Sequence, residues 1–95
     1  MLTSKQRASL RAQANNMETI LQIGKGGISD NLLTQIDEAL AAREMIKIRV
    51  LETALMSARE ASTIICEQIN AEPIQCIGTK IVLFRKNTKN PKFSF

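Results

Sequence analysis

Apolar residues recur every three or four positions in three stretches of the 95-residue chain: 4–16, 30–43 and 56–70. This spacing is typical of amphipathic helices with one buried side. Thr3-Ser4 and Ser29 precede the first two stretches and are suitable N-cap residues. The apolar stripes consist of Leu10, Ala14 and Met17; Leu32 or Leu33, Ile36 and Leu40; and Ala58, Ala61, Ile65 and Ile69.

Four shorter stretches have the apolar runs or the alternation of strands: 19–23, 45–51, 73–77 and 80–85. In the second, Ile46, Ile48 and Val50 point one way, and Lys47 and Arg49 point to the non-core side. Gly78-Thr79 predicts a tight hairpin between the last two strands. The order α-β-α-β-α-β-β predicts an α/β fold with a small mixed four-stranded sheet packed with helices, because strands separated by helices pair in parallel through right-handed crossovers.

The length and composition of the chain indicate one small folded domain. Apolar residues make up 44% of the chain and aromatic residues 3%, so the core must be aliphatic. No stretch reaches the roughly 20 apolar residues of a membrane span, and no association with a membrane is expected. Cys66 and Cys76 have no metal-ligand spacing, which favours reduced core residues in a cytoplasmic protein. We expect a folded domain over 1–86 and a basic, flexible tail over 87–95.

Charge is distributed unevenly along the chain. Residues 1–25 contain four basic residues and one acidic residue, 26–72 contain four and eight, and 73–95 contain five and none. Basic segments at both ends suit an anionic partner, whereas the acidic middle suits a basic protein.

The segment Gly24-Lys25-Gly26-Gly27, between a strand and the helix that begins after Ser29, is the candidate binding loop. Backbone N–H groups, a helix N-terminus and Lys25 together favour a phosphate there. The sequence motifs of loops that bind nucleoside triphosphates or dinucleotides are absent. The loop does fit the G-x-x-G motif with which KH domains bind a nucleic-acid backbone. The alternative is a turn that is rich in glycine for steric reasons only.

Other basic residues extend this hypothesis. Candidate RNA contacts are Lys5, Arg7 and Arg11 on the first helix, then Lys47 and Arg49, and then Arg85 and Lys86. The alternative for each group is a solvated surface. The absence of aromatic residues from these regions favours contacts to phosphates and sugars of structured RNA over base reading.

Four segments, in order and with matching spacing, carry a resemblance to a known family: LTSKQRASLRAQA, ILQIGKGGIS, IDEALAAREMIKIRVL and IQCIGTKIVLFR. They resemble the CRM domain (chloroplast RNA splicing and ribosome maturation) in its bacterial stand-alone form, over about residues 2–86. The resemblance implies a fold related to the C-terminal half of translation initiation factor three. Its signature loop corresponds to Gly24–Gly27 and its basic first helix to Lys5, Arg7 and Arg11. Family members often carry an aromatic residue near Ser9 and a histidine near Asn15 or Asn16, which this chain lacks.

The resemblance implies a non-enzymatic RNA-binding protein that associates with precursors of the large (50S) ribosomal subunit and with structured ribosomal RNA. A protein–protein adaptor on these particles, binding ribosomal proteins through the acidic middle helices, is the alternative. An enzyme is disfavoured because the chain has no histidine and no nucleophile–base pair. We expect no cofactor, no metal, and a monomer.

Overall fold

The computed structural model describes residues 2–87, and its elements follow the predicted order. They are α1 (Ser4–Ala14), β1 (Thr19–Ile23), α2 (Asp30–Arg43), β2 (Met45–Val50), a 3₁₀ turn (Glu52–Ala54), α3 (Ala58–Ile69), β3 (Glu72–Ile77) and β4 (Lys80–Phe84). The 3₁₀ turn is the one element that the sequence pattern did not predict. The tail expected over 87–95 lies, apart from Asn87, outside the described residues.

The four strands form one mixed sheet in the order β1-β2-β4-β3. β1 and β2 are parallel, as the crossover through α2 requires, and β4 is antiparallel to both β2 and β3. The prediction of a small mixed sheet with a terminal hairpin is therefore confirmed.

Side chains that satisfy free backbone N–H groups fix where each helix begins. Thr3 and Gln6 form a capping box at the start of α1, and Ser57 and Glu60 form another at the start of α3. The hydroxyl of Ser29 accepts a hydrogen bond from the Leu32 N–H, as the sequence predicted for the start of α2.

One face of the sheet packs against α2 and α3. The fully buried residues there include Ile23, Ile46, Ile48, Ile81 and Leu83 from the strands, with Ile36, Leu40, Ala61 and Ile65 from the helices. Ile46 and Ile48 on β2 and the four helix residues are positions that the periodicity assigned to the core. Burying an aliphatic side chain of this size contributes roughly 1.5–3 kcal/mol, so this layer supplies much of the stability.

The other face is covered at one end by α1. Leu10 and Ala14 pack there against Met45, Ile74, Val82 and Phe84 in a second buried cluster. Lys47 and Arg49 lie on this same face, beyond the covered end. Lys47 is half-buried and Arg49 is exposed.

The prediction that both cysteines belong to the core is wrong for Cys76. It is exposed on the edge strand β3, beyond a register shift between Pro73 and Gln75 that separates it from the buried Ile74. Cys66 is half-buried on α3 and packs against the main core, as expected.

Candidate nucleic-acid interface

The glycine loop is a closed turn between β1 and α2. The Gly27 N–H donates to the Gly24 carbonyl oxygen at 2.9 Å, which leaves Lys25 and Gly26 exposed at the centre of the turn. Gly27 has φ +65°, a left-handed conformation that favours glycine. This conformation directs the chain toward Ser29 and the start of α2.

Local sterics explain only one of the three glycines in this loop. A Cβ added at Gly26 would meet no heavy atom within 4 Å, and Gly26 does not have a positive φ. A Cβ added at Gly24 would lie 3.6 Å from Leu51 Cδ1 and from Thr53 Oγ1, which are ordinary contacts. The folded chain itself therefore tolerates side chains at positions 24 and 26.

The exposed centre of the turn has the features of an anion site. Among residues 2–87, the N–H groups of Lys25 and Gly26 have no hydrogen-bond partner, and the Lys25 ammonium has no ion-pair partner. The helix α2 begins at Asp30, with two residues between it and the end of the loop at Gly27, and its N-terminus adds partial positive charge. The loop can therefore present two donors and one full positive charge to a phosphate.

Arg7, a second candidate contact, is already bound within the fold. Its Nη1 donates to the Pro73 carbonyl oxygen at 2.5 Å, and its Nη2 donates to Glu72 Oε2 at 2.6 Å. Glu72 lies at the end of the sheet where β2 begins, whereas the glycine loop leaves the end where β2 finishes. Six residues of strand span about 20 Å, so the structure does not bring Arg7 and the loop into one compact site.

Arg11 and Lys5 differ from Arg7. Both are exposed, and neither side chain has a hydrogen bond or ion pair with another residue of the range 2–87. They remain the more available cations of α1.

Replacing Arg7 with alanine should lower the free energy of unfolding by about 1 kcal/mol, because a half-exposed ion pair and one hydrogen bond to β3 are lost. The matched variant Arg11→Ala should change it by less than about 0.5 kcal/mol. Urea denaturation followed by circular dichroism measures both. Equal effects would show that the contacts of Arg7 with Glu72 and Pro73 do not stabilise the fold.

Arg85, like Arg7, makes an ion pair and hydrogen bonds with other parts of the fold. Its guanidinium donates to Asp37 Oδ1 at 2.5 Å, to the Asp37 carbonyl oxygen and to the Ile69 carbonyl oxygen. These bonds connect the residue that follows β4 to α2 and to α3. Lys86 beside it is exposed.

Lys80 is a basic residue that the sequence reasoning did not single out. It stands directly opposite Arg49 in the antiparallel pairing of β2 with β4, and both side chains are exposed. Only the register of that pairing reveals the juxtaposition, since the two residues are far apart in the sequence.

Cys66 is the one group in the described chain whose ionisation is clearly shifted by its surroundings. Burial raises the pKa of the Cys66 thiol, although a hydrogen bond with Ser62 acts in the opposite direction, so the thiol is protonated at neutral pH. No group of three metal-binding side chains occurs among residues 2–87. Each helix of the described range is too short or too polar to span a membrane.

Comparison with solved structures supports this architecture. The solution structure of a hypothetical Staphylococcus aureus protein, proposed to bind RNA, superposes with a TM-score of 0.76 and is 39% identical in sequence. The match covers 95% of this chain and 94% of that one.

Proteins with similar sequences are also named as probable RNA-binding proteins. A Bacillus subtilis protein named "Probable RNA-binding protein YqeI" is 39% identical over 90 residues, covering 95% of this chain and 94% of its own. A Methanocaldococcus jannaschii protein, also named a probable RNA-binding protein, is 33% identical over 86 residues, which are 88% of this chain and 63% of that protein. The family model of the CRS1 / YhbY (CRM) domain matches residues 2–85. The chain therefore belongs to the CRS1 / YhbY (CRM) domain family.

Proposed function

We propose that this chain is a non-enzymatic RNA-binding protein that holds structured ribosomal RNA during assembly of the large (50S) ribosomal subunit. The observation that carries the proposal is the exposed turn at Lys25 and Gly26. The fold itself has room for a side chain at position 26. A phosphate that approaches the backbone there would require glycine, because a side chain would stand between the two. The names of the relatives support RNA as the partner.

In this mechanism the loop holds one phosphate. The N–H groups of Lys25 and Gly26 donate to its oxygens, and the Lys25 ammonium neutralises its charge. Arg11 and Lys5 on α1 contact a more distant part of the RNA. These contacts position RNA without reading bases, since the described surface offers no aromatic side chain for stacking. Binding one RNA fold more tightly than its competitors is sufficient for such a role, and it requires no catalytic group.

The RNA-binding unit is residues 1–86, and 87–95 forms a basic tail that adds non-specific attraction. We further propose that the protein works as a monomer in the cytoplasm, where pre-50S particles are assembled, and that ribosomal proteins are its neighbours on these particles.

A salt titration with transcribed fragments of large-subunit ribosomal RNA tests this function. The logarithm of the binding constant should fall linearly with the logarithm of salt concentration, by roughly 0.7–0.9 per phosphate contact. Folded RNA of the same length but unrelated sequence is the control. Absence of salt-dependent binding would refute the RNA-binding role. Equal affinity for both RNAs would refute the preference for ribosomal RNA but not RNA binding itself.

The adaptor alternative makes a different prediction on the same particles. Glu38 is exposed on α2 and, unlike Asp37, has no ion pair with another described residue. Co-sedimentation of Glu38→Lys and Arg11→Glu with pre-50S particles separates the two functions. Loss of association in the Glu38 variant alone would favour the adaptor, whereas loss in the Arg11 variant alone favours RNA binding.

A further inference from the structure

One row of residues crosses all four strands on the face of the sheet that α1 covers only in part. Gln22 of β1 pairs with Arg49 of β2, Arg49 with Lys80 of β4, and Lys80 with Ile77 of β3. Cross-strand partners point to the same face of a sheet. All four side chains are exposed, and Ile77 is 65% exposed, so no element of the described chain covers this row.

The two cations in the centre of the row are unfavourable for the isolated fold. Arg49 and Lys80 stand directly opposite each other, and like charges in such a pair destabilise a sheet. Neither has an acidic partner among residues 2–87. An anion that binds across both side chains would remove this repulsion.

The position of the row indicates which anion. Gln22 lies two residues before Gly24, so the glycine loop begins about 7 Å further along β1. Arg49 and Lys80 then follow on the next two strands, at a spacing of about 4.8 Å per strand. Cations repeated across neighbouring strands, and continuous with the exposed Lys25, match the regularly spaced charges of a nucleic-acid backbone better than an isolated carboxylate of a protein.

We propose that the row Gln22–Arg49–Lys80–Ile77 is a second RNA-contact surface, which binds the segment of backbone that leaves the glycine loop. Arg49 and Lys80 each hold one phosphate, and Gln22 and Ile77 contact sugars at the ends of the row. This inference rests on the proposed function and adds a defined path for the RNA across the open half of the sheet.

The test compares two double variants that remove equal charge. Arg49→Gln/Lys80→Gln removes the cations of the row, and Arg43→Gln/Arg59→Gln removes two exposed cations from the helices on the other face. In a salt titration with large-subunit ribosomal RNA fragments, the row variant should lose about 1.4–1.8 in slope and bind roughly 15- to 30-fold more weakly at 0.15 M salt. The helix variant should keep the wild-type slope.

Wild-type protein and Gly26→Asp are measured alongside, so that failures can be told apart. If the wild type binds RNA and Gly26→Asp weakens binding, but the row variant keeps the wild-type slope, the second surface is refuted and the proposed function stands. The row would then be a surface for an acidic protein. If the wild type does not bind RNA, both proposals fail. Circular dichroism confirms folding, and removing the repulsion should leave the row variant at least as stable as the wild type.

Discussion

Gly26→Asp should weaken binding to large-subunit ribosomal RNA by roughly 10- to 100-fold, or about 1.4 to 2.8 kcal/mol. The carboxylate would stand at the exposed centre of the turn, beside Lys25, where the phosphate is proposed to bind. Two like charges about 4 Å apart near a protein surface repel each other by up to ~4 kcal/mol, which is enough for this loss. The free energy of unfolding should change by less than about 0.5 kcal/mol, because a side chain at position 26 meets nothing in the fold.

Gly26→Asn is the matched control for this prediction. Asparagine has nearly the same shape as aspartate but no charge, so its effect reports the bulk of the side chain alone. Fluorescence anisotropy with labelled RNA at 0.15 M salt measures the wild type and both variants. We expect the asparagine variant to lie between the other two. If both variants fold and bind as tightly as the wild type, the loop is not the phosphate site.

Leu10→Ala should lower the free energy of unfolding by about 3 kcal/mol. Leu10 is fully buried between α1 and the strands, where it contacts the cluster containing Met45, Val82 and Phe84. Truncation loses the transfer free energy of the removed groups and leaves a cavity, because a packed layer relaxes only in part. α1 depends on this contact, since its other buried side chain is the small Ala14.

The chain offers a matched control with the same chemical change. Leu55 is 93% exposed at the end of the 3₁₀ turn, so Leu55→Ala should change stability by less than about 0.5 kcal/mol. Urea denaturation followed by far-ultraviolet circular dichroism measures both variants. Equal midpoints for the two would contradict the assignment of α1 as a packed second layer. Hydrogen exchange at the α1 amides would further show whether the helix detaches before the sheet unfolds.

Most of the fold could be predicted from local patterns. The order of seven helices and strands, the cap at Ser29 and the hairpin at Gly78-Thr79 all follow from signals within a few residues. The core positions Ile36, Leu40 and Ile65 follow from helical periodicity, because a stripe of apolar side chains must be buried. The 3₁₀ turn was missed because three residues are too few to show a period.

The candidate site was predictable in part. The Gly24–Gly27 loop and its place between a strand and a helix were visible in the sequence, and the structure adds which glycines the fold itself requires. The sequence grouped Arg7 with Arg11 because helical spacing puts them on one stripe. It could not show that Arg7 binds β3, since Glu72 is 65 residues away along the chain.

The sequence by itself determined the seven helices and strands, the main core, the glycine loop and the family, because each depends on the order and spacing of neighbouring residues. The tertiary structure decided the strand order β1-β2-β4-β3, the covering of one end of the sheet by α1, and the pairing of Arg7 and Arg85 with carboxylates. It also decided that Arg49 and Lys80 meet on one exposed row. These features depend on contacts between distant segments, and only the free energy of packing the whole chain selects among such contacts.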